Sequence, residues 1–392
     1  RSKRDGKIKF DGDMLPEDLP DRPGIDFTGF NDNWWIGLAV LHTMFAREHN
    51  TICDGLKLIY PEWDDEELFQ RARLINGALI AKIHTTEWTP GLLGHPALDF
   101  GMHAQWSGVP YRWMQLVLGE DNEVAHGIPG SETDQHSAPY AMTEEFTAVY
   151  RMHPLLPDTV RIHSLDKGKH KHKPKTFDFV KVQGKETRQL MKDHGFANVL
   201  YSLGIANPGA MRIRNYPNFL RQFRKDLQSK KDKRSHSHKT EQPLLDMAAI
   251  DIMRDRERGV PRYNRFRELV GKKRVTSFEE ITSIPGIAQK MREIYKDDVD
   301  RVDLLVGLLS EDLPEGFGFS DTAFRVFILM ASRRLKSDRF FTDDYRPEIY
   351  TEFGLDWIRN NSMKSVLLRH FPELGPALEG VKNSFSPWNV VA

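Results

Sequence analysis

Only one cysteine, Cys53, occurs in 392 residues. A lone thiol excludes an internal disulfide framework, and it points to a reducing compartment or to a fold that needs no staples. Set in an apolar-periodic stretch, Cys53 reads as an inert packed thiol. Neither sign of charge is in excess: lysine plus arginine and aspartate plus glutamate number 56 each. No bulk field therefore favours nucleic acid or an acidic partner. No apolar run approaches the roughly 20 residues of a membrane span, and no signal-peptide pattern opens the chain. The expected setting is intracellular, either cytoplasmic or peripherally associated with membrane or lipid. Period-two alternation is also scarce, so strands are expected to be few. What remains is long enough for one large or two ordinary domains.

The patterning that is present is helical. Residues 1–33 are polar and rich in Gly, Pro and Asp, and read as an extended arm before a domain over 34–392. From Trp34 to Tyr60 apolar residues recur at helical spacing (Leu38, Leu41, Phe45, Ile52, Leu56), and Pro61 ends the run. Asp64 to Glu67 supply acids for the positive end of a next helix that reaches about Trp88. Residues 92–140 show little periodicity. Further helices are expected over Leu244–Arg258, Asp297–Leu309 and Ser320–Lys336. Two basic loops, 167–175 and 229–240, carry His170, His172, His236 and His238, which suit a solvated loop or a chelated metal.

The most informative stretch is Tyr150-Arg151-Met152-His153. Phe146, Val149, Tyr150 and His153 fall at i, i+3, i+4 and i+7, so a helix would set a phenol and an imidazole on one apolar face, with Pro154 stopping it. Two readings follow from that spacing. One is a core histidine and a core tyrosine, each satisfied by a hydrogen bond. The other is an axial haem ligand with an oxidisable phenol one turn away.

Four further segments bear on the choice: HTMFAREHN at 42–50, AKIHTTEWT at 81–89, RDRERGVPRYN at 254–264 and ASRRLKSDRFFT at 331–342. With TEEFTAVYRMH at 143–153, they closely resemble the fatty-acid α-dioxygenases of the peroxidase–cyclooxygenase superfamily. The resemblance runs in order from about Trp34 to Trp388. It implies a mainly α, animal haem peroxidase-like fold and a haem b enzyme. Such an enzyme would use a tyrosyl radical to remove hydrogen from C2 of a free fatty acid, and O2 would then add to give a 2-hydroperoxy acid. The alternatives are another oxygenase or peroxidase of the superfamily, or a haem-free helical lipid-binding scaffold.

Residue by residue, the resemblance makes His153 the proximal iron ligand and Tyr150 the radical site. Asp251 falls where animal peroxidases carry an asparagine that contacts this histidine, and Arg254 matches a haem-propionate partner. The ordinary reading of Asp251 and Arg254 is an i, i+3 ion pair. His84 and Thr89 match residues that bind the substrate carboxylate. They stand five apart, and Pro90 is expected to turn the chain so that both reach one site. Arg334 completes the clamp, with Arg333 as the alternative. Phe324, Phe327, Ile328, Ala331 and Leu335 define the apolar face that Arg334 flanks. Arg339 is expected in a structural ion pair, and His42 and His49 in structural roles.

Superfamily members carry a distal histidine in a helix upstream of the REHN segment, and residues 1–33 contain no histidine. The expectation is an N-terminally incomplete catalytic domain, with a Ca2+ site belonging to the part that precedes it. A degenerate relative is the other reading.

Overall fold

The apolar periodicity that begins at Trp34 becomes a 24-residue helix, Ile36–Ile59, in the computed structural model of the chain. Residues 1–2, 4–17, 24–29, 33–109, 126–133, 142–165, 173–222 and 244–391 are described. The four loop histidines, His170, His172, His236 and His238, lie outside them. Among the described residues the fold is mainly helical, with one two-stranded antiparallel sheet that pairs Thr159–Ile162 with Lys175–Asp178. The chain divides into two compact units: residues 1–140, 159–207 and 331–392, and residues 141–158 and 208–330.

In the first unit, Ile36–Ile59 packs with helix Asp65–Ile83 and helix Pro347–Asn360 around a core of Ile52, Leu56, Leu68, Ile75, Tyr350 and Ile358. Asp64 caps the second of these helices by accepting from the Glu67 amide at 2.9 Å, which satisfies a donor that a helix start leaves free. Lys82 serves the opposite need for Pro347–Asn360. Its ammonium donates to the carbonyls of Ile358, Arg359 and Asn361 at 2.7–2.9 Å, where the helix has no further N–H donors for them. The opening segment is held by side chains of this unit: Ile8 exchanges two hydrogen bonds with Asn50, and the buried Arg188 donates to Leu15 O and pairs with Asp26.

In the second unit, helices Met247–Glu257, Tyr263–Leu269 and Leu304–Ser310 pack closely. The Gly307 Cα sits against the Tyr263 ring so tightly that a Cβ would come within 2.2 Å of it. The helix expected over 297–309 is broken. A 3-10 turn, Val299–Arg301, is followed by extended Val302 and Asp303, and the helix starts only at Leu304. The cause is Asp303, whose buried carboxylate is bound by Arg256, Arg262 and Tyr295. Within 92–140, where little periodicity is visible, a helix nevertheless forms at Pro96–Ser107, with proline at its first position and His95 capping it.

Candidate haem and substrate site

The helix that leads into the Tyr150–His153 stretch starts as its sequence dictates, with the Thr143 hydroxyl accepting from the Phe146 amide. It ends sooner than the apolar spacing suggests. Glu144–Val149 is helical, Tyr150 lies at φ −86, ψ 11, and His153 opens a separate 3-10 turn, His153–Leu155. The shared helical face for Tyr150 and His153 is therefore corrected. Pro154 has no N–H to give back to Tyr150 O, so the ladder fails a full turn before the proline rather than at it. The new turn is clamped from outside: Gly209 N donates to Leu155 O at 2.9 Å and Asn215 Nδ2 to Pro154 O at 3.3 Å. Gly209 lies so close that a Cβ there would meet Pro154 O at 2.0 Å.

His153 is set by what lies behind it. Its Nδ1 is 3.0 Å from Asp251 Oδ2, and the Tyr216 hydroxyl donates to the same oxygen at 2.6 Å. Arg151 Nη1 donates to the other oxygen, Oδ1, at 2.5 Å, and its Nη2 is 3.6 Å from Asp255. Burial alone would raise the Asp251 pKa, but bonds from His153 and Tyr216 and the Arg151 charge bring it below the usual carboxylate range. Asp255, with only the looser contact, is pushed up to about 6 by burial. Because ionised Asp251 can only accept, the proton between the two residues sits on His153 Nδ1. With Nδ1 turned to Asp251, Nε2 is the ring nitrogen left to face a ligand, and the side chain keeps 31% exposure. That is the arrangement an axial imidazole needs. Among the described residues, no group of three or more His, Cys, Asp or Glu is placed to hold a metal ion. A single histidine fits iron that brings its own macrocycle.

Asp251 and Arg254 do not pair as i, i+3 neighbours. Arg254 leaves that face of helix Met247–Glu257 and reaches Glu144 at 3.3 Å, with 44% of its side chain exposed. Tyr150 stacks on Phe327 (ring centroids 5.7 Å) and lies against Phe146 at 5.0 Å. Burial raises its pKa, so the ring stays a protonated phenol.

The residues expected to bind a carboxylate fall in the first unit. His84–Trp88 forms a π-helical turn that continues directly into Thr89–Leu92. The turn expected at Pro90 is thus absent, and Thr89 stays helical at φ −60, ψ −50. The wider π turn is what joins residues five apart: both the Thr89 amide and its Oγ1 donate to His84 O, the latter at 2.9 Å. Such turns recur at functional sites. The His84 ring stacks on Trp88 at 4.6 Å, and burial lowers its pKa, so it is a neutral hydrogen-bonding group. Arg333 and Arg334 are both half-buried in the last turn of helix Asp321–Lys336. That helix buries Thr322, Ala323, Val326 and Phe327, whereas Phe324 and Ile328 are half-buried, so its inner stripe is offset from the expected one.

Other expectations resolve simply. Arg339 pairs with Asp344 at 2.6 Å and lies over Phe340. His49 Nε2 contacts Gly6 O at 3.0 Å, and His42 meets the Trp34 ring edge-on. Cys53 is fully buried and its thiol is pushed up to about 12, mainly by burial. Sequence reading gave no role to Glu48 of the REHN segment, to Tyr216, or to Arg151 beyond structure. No spacing signal links them to their partners, which lie 35 to 322 residues away. A lone acid inside an otherwise apolar helical stripe is the one cue that Glu48 offered.

The chain as a whole is similar to proteins of known kind. The chain is 38% identical to α-dioxygenase 2 of Arabidopsis thaliana over 98% of its own length and 60% of the relative's. It is also 38% identical to the α-dioxygenase PIOX of Nicotiana tabacum, over 99% of its own length and 60% of that protein's. Its fold superimposes on the crystal structure of an Oryza sativa fatty acid α-dioxygenase variant with palmitic acid. The TM-score is 0.87 at 34% identity, covering 100% of this chain and 64% of that one. The chain thus spans about 60% of the length of the relatives it matches. Residues 1–381 match the family model for animal haem peroxidases, and the chain belongs to that family.

Proposed function

We propose that the protein is a fatty-acid α-dioxygenase that binds haem b and converts a free fatty acid and O2 to the 2-hydroperoxy acid, in an intracellular or lipid-associated setting. The observation that carries this reading is the His153–Asp251 contact at 3.0 Å, which fixes the imidazole tautomer and frees Nε2 for iron. The similarity to plant α-dioxygenases along nearly the whole chain supports the substrate class. Haem, when bound, supplies the one-electron oxidation of a phenol; the remaining chemistry is assigned to side chains of this chain. Tyr150 carries the radical: its phenoxyl oxygen takes a hydrogen atom from C2, O2 adds to that carbon, and the phenol returns a hydrogen atom to the peroxyl group. Two hydrogen transfers leave Tyr150 as it began and the acid gains one O2. Among the described residues the Tyr150 hydroxyl has no hydrogen-bond partner, so its hydrogen is not committed elsewhere.

Attack at C2 requires the carboxylate to be gripped two bonds from the reacting carbon, since orientation supplies much of the rate. His84, Thr89 and Arg334, with Arg333 as the alternative, form the proposed clamp. His84 is neutral and offers one hydrogen bond, so the counter-charge must come from the arginine, which stays cationic when buried. Thr89 Oγ1 gives up its bond to His84 O when it donates to substrate. Arg254 is the proposed propionate partner, exchanging Glu144 for haem. Product analysis by mass spectrometry on haem-loaded protein tests the reading. Oxygen at C2 is expected, with Tyr150→Phe keeping the Soret band and losing oxygenation. Mid-chain oxygen, or an active Tyr150→Phe variant, would refute it.

A further inference from the structure

The carboxylate behind His153 is not free to pull on the imidazole. Asp251 Oδ2 accepts from two donors at once, Tyr216 at 2.6 Å and His153 at 3.0 Å, and Oδ1 is occupied by Arg151 at 2.5 Å. All of this is dry: the Asp251 side chain is 2% exposed, that of Arg151 10%, and Tyr216 is buried. In such surroundings a hydrogen bond is electrostatically strong, and each added donor drains the charge available to the others. An unshared carboxylate would draw the Nδ1 proton and make the ring a strong, imidazolate-like donor. One that is shared with a phenol and a guanidinium draws it less.

We propose that Tyr216 and Arg151 are positioning residues that attenuate Asp251 and thereby set how strongly His153 donates to iron. This rests on the haem reading above and adds two residues to which that reading gives no role. Each has a distinct part. Tyr216 competes with His153 for a single oxygen, as their own separation of 3.4 Å reflects. Arg151 neutralises the far oxygen and is itself shared with Asp255. The Arg151 contact lies just past the break in the helix: the chain leaves the helix at Tyr150, and the next residue reaches helix Met247–Glu257.

The test uses the haem-loaded full protein and two readouts of the iron–histidine bond: the Fe–His stretching frequency of the ferrous form and the Fe(III)/Fe(II) midpoint potential. Tyr216→Phe removes one hydroxyl and leaves Asp251 with two donors. The expected result is a higher stretching frequency and a more negative potential, with the Soret band retained. Asp251→Asn should move both the opposite way. Arg151→Lys, which keeps the charge but loses the planar grip, should shift them in the same direction as Tyr216→Phe. A purely structural role would lower stability without this opposed pair of shifts. Unchanged frequency and potential in haem-loaded Tyr216→Phe would overturn the inference, as would loss of haem from both Tyr216→Phe and Arg151→Lys, because tuning residues must be dispensable for binding. Absence of a Soret band in the unmutated protein would instead sink the haem reading itself.

Discussion

Glu48 stands inside the helix Ile36–Ile59 with no exposed surface, yet its surroundings favour the ionised form. Its carboxylate accepts from Arg369 Nη1 at 2.6 and 2.8 Å, from His370 Nε2 at 2.8 Å and from Trp357 Nε1 at 2.9 Å. Burial would raise its pKa, but the bonds from His370 and Arg369 and the Arg369 charge outweigh this and hold it below the ordinary value. Glu48→Gln keeps the volume and removes the charge, and its amide NH2 must face at least one of these donors. Breaking a buried pair from one side costs about 3–5 kcal/mol. Because the Arg369 side chain is 26% exposed and can turn towards water, the lower end, about 3 kcal/mol, is expected. Urea unfolding at pH 7 reads the loss, and Arg369→Met in the Glu48→Gln background should cost much less than it does alone. A folded pKa below the unfolded value of about 4.3 means that the stabilisation is complete above that pH and lost as pH falls through the folded value. The unmutated protein should therefore lose this increment below about pH 4, and Glu48→Gln should not. A cost under about 1 kcal/mol, or the same acid dependence in both proteins, would show that Glu48 is not a buried charge held by these donors.

Two other outcomes follow from named contacts. Gly209→Ala should weaken haem retention and lower stability, because its Cβ would lie 2.0 Å from Pro154 O in the turn that carries His153; titration of the variant with haem at unchanged affinity would contradict this. Cys53, fully buried with its thiol pushed up to about 12, should resist alkylation at pH 8 in folded protein and react on unfolding; rapid native labelling would show that the site opens.

The sequence made local features readable and left the convergent ones hidden. Helix Ile36–Ile59 and the acidic start of helix Asp65–Ile83 were legible because periodicity and end charge act within a few residues, whereas the Asp64 cap was seen only in the structure. So was the interruption around Pro154, although its reach was not: the missing donor acts a full turn upstream, at Tyr150. The segment 92–140 hid helix Pro96–Ser107, whose cues are a capping histidine and a first-turn proline rather than an apolar stripe. At the site, resemblance supplied Asp251 beside His153, and the structure brings them together at 3.0 Å. It did not supply Tyr216 or Arg151, because a hydrogen bond between distant residues leaves no period to detect. The π turn at His84–Trp88 was likewise invisible: Pro90 suggested a bend, but a helix tolerates proline where the preceding turn has already widened.

All of the proposed chemistry depends on His153 as the ligand of haem iron. The most direct measurement is the absorption spectrum of the full protein titrated with haem, compared with that of His153→Gly with and without free imidazole. A Soret band is expected in the unmutated protein, with its loss or displacement in His153→Gly and its recovery when imidazole fills the space the ring has left. An unaltered Soret band in His153→Gly without imidazole would contradict it.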